Sequence, residues 1–386
     1  MSASSISTEN MSTSAVTAKE SEEALRYYSA TQWQLIWWRF RHHKAALFAG
    51  TVLVVMGLCG LFASFLSPYS AVNRDKNYLL GPPQMIQFWD QKGFSLRPFT
   101  HGVTTKRNPT TLRREAKVDP DVRRYIEFFA HGDSYRFLGL FKTDIHLFGV
   151  EEGYLHLFGT DDLGRDLFSR TLFGTGTSMS IGIIGVVIAF ILALFIGGVA
   201  GYAGGWIDYT IQRFTEIIRV IPVIPLYMGL AAAFPKEWTT MQVYFAMTLI
   251  LGLVGWPTLA RRIRGQILSL RDEDYVVAAR VAGAGAPRII GRHLLPAFTS
   301  YIIVDLVISF PYMVLSETAL SFIGLGLRPP AVSWGVLLQA AQSIRTIQHA
   351  PWLFIPAIFV VVAVLAFTVL GDGVRDAADP YSVSEG

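Results

Sequence analysis

The chain has 386 residues, of which 52% are hydrophobic and 16% charged, with a net charge of +4. A soluble domain carries about 25% charged residues, so this composition excludes an ordinary soluble protein and makes the lipid bilayer a partner. The single cysteine, Cys59, excludes an intrachain disulfide and a cysteine metal site, and the small positive charge, spread over loops between apolar runs, gives no support to nucleic-acid binding.

Residues 1–24 are rich in Ser, Thr and Glu and lack a large apolar cluster, which predicts a disordered tail, here bounded at 1–32 and placed in the cytoplasm. A secretory signal peptide does not fit, because the first apolar run starts too late and continues too long. A hydrocarbon core about 30 Å thick needs roughly 20 apolar residues per helix. Ala45 to Leu66, without Asp, Glu, Lys or Arg, predicts a first span inside an N-terminal segment of residues 33–70. The next segment, 71–158, is too long for a simple connection. It is expected to be partly folded around Phe88, Trp89, Tyr125, Phe128, Phe129, Phe137 and Phe141, with Lys106 to Lys117 solvated.

GTDDLGRD, Gly159 to Asp166, groups three aspartates but offers too few regularly spaced oxygens for a calcium loop, so it predicts a capped turn at the start of span two. Further spans follow at Ser178 to Trp206, Val220 to Pro235, Trp238 to Ala260, Ala297 to Leu327 and Pro351 to Gly371. Pro222 and Pro225 free backbone groups that only neighbouring helices or a cavity can satisfy, which places span three near the pathway. Arg39, Arg41 and Lys44, and a loop from Arg261 to Pro296 with seven arginines against three acids, mark one face as cytoplasmic. Six spans then put both termini in the cytoplasm and 71–158 outside. His42, His43, His131, His146 and His156 have no ligand spacing and read as surface residues.

Asp305 and Glu317 fall inside span five, where an ionisable side chain costs about 2.5–3.5 kcal/mol on insertion scales, so both must face protein or water. Twelve residues apart, they are offset by roughly 120° around a helix and do not form one site. Glu317 reads as a bond to a neighbouring helix, with lining of the solute path as the alternative. No GxxxxGK[ST], Ser/His/Asp or HExxH pattern supports catalysis by this chain.

The polar stretch DYVVAARVAGAGAPRIIGRHLLP, 274–296, separates two membrane-grade runs. Asp272, Glu273 and Asp274 suit the positive end of a helix running from Tyr275 to Ala282, which Gly283 stops; Pro287 starts a second helix toward Pro296. Tyr275, Ala278, Ala279 and Ala282 share a face. That face fits either a groove on a soluble partner or the chain's own bundle.

The stretch resembles the cytoplasmic coupling loop of ATP-binding cassette importer permeases, whose pattern is Glu-Ala-Ala, three residues, Gly, nine residues, Ile-x-Leu-Pro. Ala278 and Ala279 match the alanines, Gly283 the glycine, and Leu295 and Pro296 the end. Val277 stands at the Glu position and His293 at the Ile. Arg292 to Pro296 follow the Arg-His-x-Leu-Pro form of the oligopeptide, dipeptide and nickel branch. FGTDDLGRDLFSR (158–170), GYAGGWIDYTIQRF (201–214), ETALSFIGLGLRPP (317–330) and GDGVRDAADP (371–380) look like the C-type permease of the same branch. The resemblance covers 33–70 and about 158–380; the 71–158 insertion is longer than usual for the family.

The resemblance implies an all-α type I importer permease fold with six transmembrane helices, a permease core over 159–380 and a coupling loop over 261–297. It implies a bacterial inner-membrane location and partners: a second permease subunit in a heterodimer, two ATPase subunits and an external solute-binding protein. No cofactor or metal is expected on this chain; ATP and Mg belong to the ATPases. Tyr275, Val277, Ala278, Ala279, Arg280, Gly283, Arg292, His293, Leu295 and Pro296 become the coupling residues, with shape more than charge at Val277. Peptides are the implied solute, with oligosaccharides, opines or nickel as alternatives within the class and a membrane channel or sensor as the alternative outside it.

Overall fold

The computed structural model describes residues 30–90, 93–107, 114–151, 153–235, 237–342 and 348–379. The predicted disordered tail lies almost wholly outside the described residues.

Helix α1 (Gln32–His42) opens with a capping box between Thr31 and Gln34 and leads into α2 (Lys44–Leu61), the first span, and the short α3 (Ala63–Leu66). Among its described residues the insertion supplies six strands: β1 (Gln87–Asp90), β2 (Gly93–Arg107), β3 (Arg114–Phe128), β4 (His131–Phe137), β5 (Phe141–Ile145) and β6 (Phe148–Val150). All pair antiparallel, in a sheet of order β1-β2-β3-β6 and a separate β4-β5 hairpin. The permease core follows as α4 (Leu167–Ala203), α5 (Gly205–Val220), α6 (Val223–Ala232) and α7 (Thr240–Leu270). The loop elements come next: α8 (Asp274–Val281), α9 (Ala286–Ile289), a π-helical turn (Ile290–Leu294) and α10 (Leu295–Ala297). The chain closes with α11 (Thr299–Phe322), α12 (Trp334–Gln339) and α13 (Ile355–Ala378).

Among the described residues five helices are long and apolar enough to cross a membrane, and the pair α5–α6, bent by 83° at Ile221 and Pro222, brings the number to six when counted as one span. Contacts explain why the bent pair must cross. Ser180 of α4 bonds Tyr244 of α7, Gly197 lies against Ala260, and Gly201 lies against Ile267. Residue numbers rise together along both helices, so α4 and α7 run parallel. The chain between them therefore has to return to the opposite end of the bundle. A short, proline-interrupted third span was expected at 220–235; the bent pair begins earlier, at Gly205, because α5 is an amphipathic limb whose charged residues disqualify it as an apolar run, and only α6 is apolar throughout. The bend falls where Pro222 lacks the N–H a continuous helix would need.

Helices α11 and α13 run antiparallel, Phe310 stacking on Phe367 at 3.7 Å, and α2 packs on α13, Gly373 lying against Ala46. Arg39 donates to the carbonyl of Asp379 at 2.6 Å. Both described ends of the chain thus gather at the end of the bundle that carries 271–298, and the insertion occupies the other end. The main core is built from α4, α7 and α11, with Ile181, Met247, Leu251, Ile267 and Val314 fully buried. Packing at the α4–α7 seam requires small residues: a Cβ at Gly197 would lie 2.5 Å from the carbonyl oxygen of Ala260.

The helical membrane fold is as expected, but the insertion is β-structured, which an all-helical reading did not include. Its expected aromatic core is corrected as well. Phe88, Trp89, Tyr125, Phe128, Phe129 and Phe141 are exposed and Phe137 is half-buried, while Phe99, Ile126, Leu155 and Tyr78 are buried. Phe99 is covered by the Arg123 guanidinium, 4.7 Å from its ring centre, which is itself held by Asp90. A narrow sheet covers one face only, and aromatic content does not reveal which. Much of Lys106 to Lys117 lies outside the described residues.

The turn at 159–166 is a capped turn. Asp161 accepts the backbone N–H groups of Leu163 and Arg165 at 2.9 Å each and the guanidinium groups of Arg165 and Arg170, and Asp166 caps α4 by accepting from the N–H of Ser169 at 2.7 Å. Two histidines read as surface residues are buried. His146 bonds the carbonyl of Asp133 at 3.0 Å, and His156 lies between Asp166, at 2.9 Å from Nδ1, and Asp75, at 3.6 Å from Nε2. The rings of Tyr78 and Tyr154 each lie parallel to the His156 ring, at 5.2 and 5.8 Å between centres. Burial opposes the imidazolium, but the bonds and charges of the Asp166 and Asp75 carboxylates outweigh it and raise the His156 pKa. The stabilisation from this raised pKa is complete below the unfolded value, about 6.5, and is lost as pH rises through the higher folded value. The junction of the insertion with α4 should therefore be opened faster by limited proteolysis as pH is raised from 6 to 9. His156→Gln should flatten that dependence.

Candidate functional site

The site is the surface at 271–298. Helix α8 begins at Glu273, whose backbone carbonyl accepts from the N–H of Val277 at 3.0 Å, and Asp274 sits in its first turn, where a carboxylate favours the positive end of the helix. It ends in a Schellman motif: Gly283 N–H donates to the Arg280 carbonyl and Ala284 N–H to the Ala279 carbonyl, both at 3.0 Å. Gly283 has φ +82°, the left-handed conformation this cap requires, and the space where a Cβ would stand is open. The sequence therefore stops α8 after two turns and sends the chain back toward the bundle.

Three side chains that sequence reasoning did not single out anchor the loop: Val276, Ile289 and Leu294 are each fully buried. Arg280 lies 5.8 Å from the Tyr202 ring, and Arg271 donates to the carbonyl of Gly201 at 3.2 Å. Arg264 pairs with Asp208, clamping α5 to the same end of α7. With one face pinned, the other is presented outward. Tyr275, Val277, Ala278, Val281, Ala282 and Gly283 are exposed, Ala279 is half-buried, and Val281 reaches 83% exposure. The shared face expected of Tyr275, Ala278, Ala279 and Ala282 is thus mostly an exposed one. Beyond Gly285, the expected second helix runs without a gap over 286–297 as α9, a π-helical turn and α10, Pro287 standing in the first turn of α9 as expected. Arg292 and Pro296 are exposed there, and His293 and Leu295 are half-buried.

Val276 is the point on which the pose of α8 depends. A carboxylate buried there without a partner costs about 2 kcal/mol or more. Val276→Asp should speed tryptic cleavage after Arg280 in the detergent-solubilised protein about thirtyfold or more, each ~1.4 kcal/mol on the opening equilibrium being a factor of ten. Cleavage at the wild-type rate would mean that Val276 does not hold the helix.

Asp305 and Glu317 lie apart, as their spacing predicts. Asp305 pairs with Arg262 of α7 beside a cleft lined by Gln266, Ser300, Tyr301 and Arg375. Glu317 has no exposure and accepts from Ser178 Oγ of α4 at 3.0 Å and from Ser321 Oγ at 2.8 Å. Both carboxylates are engaged by protein groups within the bundle. No group of three or more His, Cys, Asp or Glu side chains suited to a metal ion occurs among the described residues.

Five membrane-length helices and a bent helix pair among the described residues, with a polar helical loop at one end of the bundle and a β insertion at the other, describe a polytopic membrane protein. The model for binding-protein-dependent transport system inner membrane components matches residues 189–381, and that for the N-terminal TM domain of oligopeptide transport permease C matches 31–83. The chain is 39% identical over 227 residues to the dipeptide transport system permease protein of Bacillus subtilis, covering 58% of this chain and 68% of that protein. It is 36% identical over 226 residues to the oligopeptide transport system permease protein of the same organism, covering 58% and 72%. The oligopeptide permease protein of Mycobacterium tuberculosis is 36% identical over 233 residues, covering 60% and 78%. Among solved structures, the inward-facing MetNI methionine ABC transporter aligns with TM-score 0.43 and 18% identity over 55% of this chain and 97% of that one. The chain belongs to the family of binding-protein-dependent transport system inner membrane components. It is a membrane permease subunit of an importer.

Proposed function

We propose that the chain forms half of a peptide-import pathway and that the exposed face of α8, with Gly283, docks a cytoplasmic ATPase subunit. The observation that carries the docking role is the pinned helix whose outward face is small and apolar: Val276 holds it from below, and Ala278, Val281 and Ala282 are left without cover. A short helix of that kind suits a groove on a partner, and its rigid seat lets a pull on it reach α7 and α11. Val277 takes the exposed position at which the family pattern has Glu, so the contact there is one of shape. The partner supplies ATP and Mg. A second, related permease subunit completes the pathway, and an external binding protein delivers the solute.

The relatives named as dipeptide and oligopeptide permeases favour peptides over sugars, opines or nickel. The arginine-rich end of the bundle, with Arg39, Arg264, Arg271 and Arg280, suits the cytoplasmic face of an inner membrane, which supports the reading with both termini inside and the 71–158 insertion outside. There the insertion is positioned to contact the binding protein or cap the outer mouth. Purification of the tagged chain under mild conditions should recover two ATPase subunits and a second permease, and the recovered binding protein should carry peptide. An active membrane protein isolated without any ATPase would refute this reading, and a non-peptide ligand would refute the solute.

A further inference from the structure

The tip of the β4–β5 hairpin has a composition that water does not favour. Residues 136–142 read RFLGLFK: five consecutive residues, four of them large and apolar, closed on each side by a cation. Leu138 is 47% exposed, Leu140 79% and Phe141 58%. Exposed apolar runs of this length are absent from ordinary solvated hairpins unless they serve a contact. The turn itself is also unusual. Leu138 has φ +48° and Gly139 φ +76°, and the first is a conformation in which Asn, Asp or Gly is normal for a turn in water. The chain keeps a leucine there despite the steric cost.

The direction of the hairpin gives the apolar tip its surroundings. At its base, Asp133 accepts from the N–H of Ser70 and the Asn73 amide, each at 3.0 Å, and Leu147 N–H donates to the Phe65 carbonyl at 2.8 Å. Four residues further along β4, Phe137 stacks on Phe62 at 5.9 Å and meets Phe65 edge-on at 6.3 Å. As β4 advances from 133 to 137, its partners step back from 70 to 62, so the hairpin points back along the first span toward the membrane. An apolar groove of about 480 Å³ runs between them, lined by Val55, Leu58, Cys59, Phe62, Leu66 and Phe137. Val55 precedes Phe62 by seven residues, roughly 10 Å along a helix, so the groove extends well into the apolar length of α2. It is continuous with the exposed face of that span, where Val54, Val55, Leu58 and Leu61 are uncovered.

We propose that Phe137 to Phe141 is set into the hydrocarbon of the leaflet beside the first span, with Arg136 and Lys142 at the lipid phosphates. The two cations are direct cross-strand partners, an arrangement that repels unless an anion lies between or above them. Long cationic side chains at such a boundary reach the headgroups while their stems remain in apolar surroundings. The turn meets the membrane's demand on the backbone, because Leu140 N–H donates to the Phe137 carbonyl at 2.9 Å and Gly139 N–H to the Arg136 carbonyl at 3.3 Å. The flanking charges also limit the depth to the tip. The insertion would thereby be held against the bilayer at a second point besides the spans that enter and leave it.

The test uses the full transporter reconstituted in phosphatidylcholine–phosphatidylglycerol vesicles. In a Cys59→Ser background, Leu140→Cys carries an environment-sensitive fluorophore, and Thr143→Cys, beyond the cation pair, serves as the comparison. The Leu140→Cys label should emit to the blue and lose most of its intensity to lipids bearing a nitroxide high on the acyl chain, while iodide in the water leaves it nearly unchanged; Thr143→Cys should show the reverse. Iodide quenching of both labels alike would overturn the proposal. Protection of the Leu140→Cys label from both quenchers would also overturn it, by showing that another subunit covers the tip. Leu140 is highly exposed, so its replacement leaves folding intact.

Discussion

Gly283→Arg should reduce solute uptake to background, a fall of more than about tenfold, while the protein still inserts into the membrane at wild-type levels. Two effects combine at this residue. A side chain at φ +82° costs about 1 kcal/mol relative to glycine, which loosens the end of α8 without unfolding a bundle whose core lies elsewhere. The larger effect is steric: beyond Gly283 and its chain neighbours nothing lies within 4 Å of the position of an added Cβ, so an arginine would project from the surface proposed to meet the ATPase. Gly283→Asn separates the two, since asparagine tolerates the left-handed conformation and is short. It should retain much of the uptake. Equal loss in both variants would trace the defect to the cap and not to the docking surface, and coupled uptake retained by Gly283→Arg would remove the docking role altogether. Measurement of ATPase co-purification beside uptake distinguishes lost docking from lost transmission.

What the sequence made legible follows the range of the forces involved. The apolar spans are set by composition alone, and the α8 cap by Glu273, Gly283 and Pro287, whose preferences act within one or two turns. Burial of Val276 under exposed Ala278 and Ala282 is periodic and could have been read from the helical spacing, since the apolar residue falls on the face opposite the small ones. The bent third crossing was only half legible. Asp208, Arg213, Glu216 and Arg219 on α5 break the hydropathy signal, although Asp208 turns out to serve Arg264, fifty-six residues on. His156 shows the limit most clearly. It looked like a surface residue because nothing near it in sequence marks burial, yet its charge partners stand at 75 and 166, brought together only when the insertion closes onto the start of α4. The β structure of the insertion escaped for a related reason: aromatic residues announce a folded region without saying which side of a strand is covered. At α8 the same local forces that made the helix readable also leave its partner face bare.

Glu317→Ala should destabilise the permease more than any single change on the exposed loop. The carboxylate is fully buried where α4, α11, the chain at 324–333 and α12 converge. It accepts from Ser178 and Ser321; Ser178 Oγ in turn accepts the Trp334 N–H at 3.1 Å, and Ser321 Oγ the Leu327 N–H at 3.1 Å. Removing the carboxylate strands both hydroxyl donors, at about 1–3 kcal/mol each, and adds a cavity, so the total is about 4 kcal/mol. Thermal unfolding in detergent should show the loss as a lowered midpoint, with Glu317→Gln, which keeps an acceptor oxygen in place, falling much less. Asp305→Ala provides the contrast. Its partner Arg262 has a side chain 42% exposed, so water can replace the lost carboxylate and the cost is about 0–1 kcal/mol. An unchanged midpoint in Glu317→Ala, together with altered solute preference, would instead assign the carboxylate to the solute path. The geometry argues against that result, because the carboxylate bonds inward to Ser178, which fastens α12 to α4, and to Ser321, which fastens the chain at Leu327 to α11.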